Sequence, residues 1–180
     1  MVDVSLLQSA SYVAAAIGVC VAAFYYALNL RETNKNRRIT FTNSVIQQLL
    51  TEEGVRKELD CYSMQWTDFD DFKRKYDSRV NPENYSKRSS LWYLYESLGY
   101  LYRSGVIDLD TVANICGGFV PYDWLKFKPI IEEYRKTDFG PTSFSNFEYL
   151  AEAIMSVRER SEPNARARMD MVEKAHRVAQ

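Results

Sequence analysis

The carboxylates come first among residues of this 180-residue chain whose types and spacing could do chemistry. Asp68, Asp70 and Asp71 lie together, as do Asp108 and Asp110, and either group can offer hard oxygen ligands to Mg²⁺. That is the donor set of a metal-dependent hydrolase. The same spacing also suits a helix start, because Asp68 with Asp71 three residues later is a capping pattern and acids in a first turn favour the helix dipole. Histidine chemistry is out of reach for the body, since the one histidine, His176, lies in the last few residues. Cys20, Cys61 and Cys116 are odd in number, widely spaced and without a C-x-x-C pattern, which argues against a zinc or disulfide framework and suits a reducing compartment. Gly117-Gly118 lacks the residues of a phosphate loop, and a helix end with positive φ is the simpler expectation. No cofactor is expected.

Charged residues in apolar surroundings form a second group. Glu96 and Arg135 each sit within an aromatic helical segment. If they pair across the core, removing either leaves the other charge buried at a cost of about 3 kcal/mol or more. Arg31, Lys35, Arg37 and Arg38 form a third group, a basic cluster that anionic lipid headgroups would attract. With 23 Lys plus Arg against 24 Asp plus Glu, the net charge of -1 creates no global field for nucleic acid, and no nucleic-acid partner is expected.

The element that positions the basic cluster is the stretch Val4 to Leu30, which contains no Asp, Glu, Lys, Arg or His. It exceeds the roughly 20 residues a helix needs to cross a hydrocarbon core. A cleaved secretory signal would carry a basic leader and a shorter apolar run, whereas this one starts Met1-Val2-Asp3 and ends in a basic stop-transfer flank. A buried helix of a soluble domain would show a polar stripe. The sequence therefore predicts one transmembrane anchor over 1–30, with the N-terminus outside and the rest cytoplasmic because the positive charges follow the span. Ala10, Ala14, Gly18 and Ala22 recur at i+4 and form a small-residue seam for contact with another membrane helix.

No Gly or Pro interrupts the chain after Arg31, and Ile39, Val45, Ile46, Leu49 and Leu50 keep helical spacing, so the span should continue as a stalk over 31–50. A helical domain is expected over 51–160. Thr51 and Asp68 are candidate caps, and a helix from Glu52 to Trp66 would turn Val55, Leu59, Tyr62 and Trp66 to one side. Asn81-Pro82 opens a central helix ending at Arg103, with a stripe of Leu91, Leu94, Tyr95, Leu98, Leu101 and Tyr102 that Trp92 and Tyr100 extend. Gly99 inside it suggests close approach by a neighbour. Asp108 should cap Leu109 to Cys116, and Pro121 should open a helix that Pro129 kinks or restarts. Ser143 or Ser145 should start a helix through Val157. The tail 161–180 is basic, with Met169, Val172, Ala175 and Ala179 on one face of a loose helix or a disordered segment. No β-alternation is present, so the fold class is all-α, with about five to six helices in the cytoplasmic bundle.

The run Leu28-Asn-Leu-Arg-Glu-Thr-Asn-Lys-Asn-Arg and the run Tyr95-Glu-Ser-Leu-Gly-Tyr-Leu-Tyr-Arg-Ser-Gly-Val-Ile-Asp, with Gly117-Gly118, Trp124, Pro129 and Arg135, carry a resemblance. The chain to about Arg160 resembles a family of small prokaryotic membrane-anchored proteins, a domain of unknown function. The resemblance implies one N-terminal span followed by an all-helical cytoplasmic domain, and it implies no reaction. Together these readings favour a membrane-anchored interaction, regulatory or accessory module. Its partners would be the lipid bilayer and a protein or second copy met through membrane or cytoplasmic helices. A membrane-bound hydrolase using carboxylates and a metal is the alternative.

Overall fold

The helix starts are set by side chains that satisfy first-turn N–H groups. In the computed structural model, which describes residues 4–178, Thr51, Asp68, Asn81 and Asp108 each accept a hydrogen bond from the backbone N–H three residues on, at Gly54, Asp71, Asn84 and Thr111. Among the described residues the chain forms eight α-helices and no strand: α1 Val4–Leu50, α2 Glu52–Ser63, α3 Phe69–Tyr76, α4 Pro82–Arg103, α5 Leu109–Cys116, α6 Phe119–Thr137, α7 Ser145–Ser161 and α8 Ala165–Val178. Met1 to Asp3 and Ala179 lie outside the described residues, as do the side chains of Ala10, Val45, Ala175 and His176.

The chain divides into two units after Phe41. The first is a helix long and apolar enough to cross a membrane, by length and composition. Its apolar side chains face outward: Tyr12, Ile17, Val19, Val21, Phe24 and Tyr25 are each about two-thirds exposed. The second unit begins with Thr42, so the closing turns of α1, where Ile46 and Leu49 are buried, belong to the helical body and not to a separate stalk.

Aromatic rings fill the body. Trp92, Trp124, Phe72, Phe127 and Phe147 are fully buried, and their edge-to-face contacts, such as Trp92 on Phe127 at 5.2 Å and Trp124 on Phe147 at 5.3 Å, fix the ring positions. The tightest seam joins α4 to α7. A Cβ at Gly99 would stand 2.0 Å from the Asn146 carbonyl oxygen, so only glycine lets the two backbones approach this closely. Gly105, with φ of 66°, ends α4 by the left-handed turn that glycine tolerates.

Several expectations need correction. α2 turns Gly54, Glu58 and Cys61 inward, leaving Val55 and Leu59 40% and 60% exposed. Its register is set by Gly54, where a Cβ would lie 2.4 Å from the Gln48 carbonyl oxygen and block the close packing of α2 on the end of α1. Tyr100 faces solvent, while Arg88, one turn before Leu91, is buried. Gly117 and Gly118 both have negative φ, so the expected left-handed helix end is absent there. Helix α6 starts at Phe119 and runs through Pro129. Helix α7 starts at Ser145 as expected, but neither Ser143 nor Ser145 caps it. That position falls to Phe144, at φ of 59° and without a side-chain hydrogen bond. The tail is helical over α8, where Ala165 is buried and Arg166 pairs with Glu152 at 2.6 Å and Glu159 at 3.2 Å.

Candidate functional site

Of the carboxylates singled out as metal donors, Asp68, Asp71 and Asp108 are engaged at helix starts. Asp68 accepts from the Asp71 N–H at 2.8 Å, and Asp71 accepts from the N–H of Thr67, the residue before the cap, at 3.1 Å. Asp71 also pairs with Lys75 at 2.9 Å and Arg74 at 3.3 Å. The Lys75 ammonium, helped by the Thr67 N–H, holds its carboxyl below the usual range. Asp70 is exposed in the first turn of α3. Asp108 takes both the N–H and the hydroxyl of Thr111, at 2.8 and 2.6 Å, and these bonds lower its pKa. Among the described residues no three His, Cys, Asp or Glu side chains cluster as a metal site.

Glu96 and Arg135 do not pair with each other. Both reach the start of α7, which lacks a cap of its own. Glu96 accepts from the Phe147 N–H and the Asn146 side-chain amide, each at 2.8 Å, and so caps α7 from outside its own helix. Arg135 donates to the Ser143 carbonyl at 2.8 Å and pairs with Glu148 at 3.0 Å. Between these two grips Phe144 is held in a left-handed conformation that costs a bulky residue about 1–3 kcal/mol. The pairing considered from sequence is replaced by these separate contacts, Glu96 with Asn146 and Phe147 and Arg135 with Ser143 and Glu148. In the first unit, Ala14, Gly18 and Ala22 are exposed, and a Cβ at Gly18 would meet nothing within 4 Å. Arg31, Lys35, Arg37 and Arg38 are also exposed.

A third constellation lies inside the body, and the sequence reading passed over it. Glu58 of α2 and Asp123 of α6 are 1% and 0% exposed, and each lies within hydrogen-bonding reach of the other. The Tyr95 hydroxyl of α4, itself fully buried, donates to Glu58 Oε1. Glu58 Oε2 and both oxygens of Asp123 accept from no donor group. Burial pushes the Glu58 carboxyl up to about 7, with the bonds to Tyr95 and Asp123 pulling it back. Asp123 is raised well above the carboxylate range by burial first and by the Glu58 charge second. Lys126, one turn along α6, is 3% exposed and donates to the Tyr62 carbonyl at 2.6 Å. Its charge favours the ionised form of Asp123. Arg88 is buried on another side of the core, where its guanidinium lies over Trp92 at 4.6 Å and Phe72 at 4.8 Å and donates to the Tyr76 carbonyl at 3.3 Å.

A signal for this cluster exists in the sequence. Asp123 shares the helical spacing of Val120 and Phe127, and Glu58 that of Gly54 and Cys61, so both acids fall on faces that pattern as buried. Clefts open on the surface of the body, two of them lined by described residues. One, of 430 Å³, lies between Tyr62, Tyr122, Met169 and Val172, with Arg158 and Arg168 at its edge. The other, of 580 Å³, lies between Lys73, Arg74, Arg79, Tyr85, Tyr134 and Phe139. Both volumes are in the range of small-ligand sites.

No curated protein and no solved structure matches the chain. A family profile matches residues 12–154, from the apolar part of α1 into α7, and therefore takes in the close α4–α7 seam and both acids of the buried pair. By that match, the chain belongs to the DUF4760 family, a domain of unknown function.

Proposed function

We propose that this protein is a single-pass membrane module whose helical body lies in the cytoplasm and acts by binding a protein partner or a second copy of itself. The observation that carries the reading is the outward-facing apolar surface of α1. From Ser11 to Leu30 every side chain is exposed and uncharged. An apolar surface of that length is stable in hydrocarbon and costly in water. The basic residues from Arg31 to Arg38 follow the apolar run directly, which favours cytoplasmic placement of what comes after. A role by contact fits the body, where Asp68, Asp71 and Asp108 are engaged as caps and Glu58 and Asp123 are buried.

Purification of the full chain in mild detergent tests this reading. A stoichiometric protein partner, or a defined oligomer, is the expected result. A monomer that hydrolyses phosphate esters when Mg²⁺ is supplied would instead establish the hydrolase.

A further inference from the structure

We propose that Glu58 and Asp123 form a proton-held latch that seats α2 on α6, making the packing of α2 a function of pH. Glu58 Oε2 and both oxygens of Asp123 are buried without a donor, and the two side chains act on each other. Two ionised carboxylates cannot share such a place, whereas a proton between them turns mutual repulsion into a hydrogen bond. The latch joins three helices, because Tyr95 of α4 donates to Glu58 from the opposite side.

From α6, Lys126, which donates to the Tyr62 carbonyl, places a positive charge that favours the ionised form of Asp123. From α2, Cys61 and Tyr62 face the acids, and burial foremost, then the acids' charge, pushes both groups up. Burial and the Glu58 charge likewise raise Cys116 of α5 to about 12, so these groups stay neutral at physiological pH. Arg88 of α4 faces Cys61 and Tyr134. The latch is independent of the anchor and would operate whether or not α1 lies in a bilayer.

The closed pair holds a proton that it would release once α2 opens to water. The closed state therefore binds more protons, so closure is favoured at low pH and weakens as pH rises from the ordinary carboxylate range through about 7, where Glu58 titrates. Hydrogen exchange of the α2 amides from Val55 to Tyr62 reads this directly in the full chain, after correction for the intrinsic pH dependence of exchange. Protection in the unaltered protein is expected to fall by up to about tenfold per pH unit for each proton released. Amides of α7 should show no such slope.

Glu58→Gln, which supplies its own N–H donors to Asp123, should flatten the slope in α2. Tyr95→Phe removes a donor that favours ionised Glu58 and should move the transition to higher pH, a displacement that lost packing alone does not produce. An equal slope in the unaltered protein and Glu58→Gln, or no slope in either, overturns the proposal. Should the variants fail to fold, infrared spectroscopy of the unaltered chain decides. A protonated buried carboxyl at neutral pH is expected, and a spectrum with carboxylates alone overturns the latch.

Discussion

The two units of this chain treat charge and apolar surface in opposite ways. The N-terminal part of α1 has no charge for 27 residues and turns its Val, Ile, Phe and Tyr side chains outward. The body puts its aromatic rings inside and buries Glu58, Asp123, Arg88 and Lys126 among them. A surface that is apolar all round is matched to a solvent that is itself apolar. A core that encloses charges has to provide each one with a partner, a ring face or a proton. The difference teaches that the first unit depends on its surroundings, while the second carries its own.

Charges placed in the first unit should give the largest effect. Ile17→Arg together with Val21→Arg costs about 3 kcal/mol for each charge near the centre of a span and should release the protein from membranes in fractionation, with the helical signal of the body retained. Next comes Gly99→Val, where the added atoms meet the Asn146 carbonyl. Thermal unfolding should show a loss of about 3 kcal/mol confined to the body. Glu96→Ala leaves the Phe147 N–H without an acceptor and should cost about 2 kcal/mol. A double-mutant cycle with Arg135→Met sharpens the point. Since the two side chains hold different atoms of the α7 start, their coupling should stay below the about 3 kcal/mol that a direct buried pair would show. Asp68→Ala, which removes an exposed cap, should cost about 1 kcal/mol by the same unfolding measurement. The smallest stability effect belongs to Gly18→Ile, which meets no neighbour in the chain. It should leave unfolding unchanged and lower crosslinking between membrane helices if the small-residue seam is in use.

What could be read from the residues follows the same division. The uncharged run and its basic end were legible because hydropathy along one helix needs no knowledge of the rest of the fold. So were the caps at Thr51, Asp68, Asn81 and Asp108, whose partners lie three residues away, and the close approach at Gly99. The buried face of α2 was not. Its Val55 and Leu59 make an apolar stripe as good as the true one, and only the contact of Gly54 with the end of α1 selects the register. Glu96 and Arg135 were recognisable as charges in need of partners, but the backbone groups they hold lie 51 residues from Glu96 and eight from Arg135, which spacing does not reveal. The Glu58–Asp123 pair was hidden for a related reason: a lone acid on a helix normally marks the solvent side, and only the joint burial of α2, α4 and α6 reverses that rule.

Protease treatment of sealed right-side-out vesicles or spheroplasts, with a tag before Met1 and antibodies to the body, tests the anchored topology most directly. The account predicts that the tag is cleaved from outside while the body stays protected until the membrane is opened, and that alkaline carbonate does not extract the protein. A body that is digested from outside, or a chain released intact by carbonate, would contradict it.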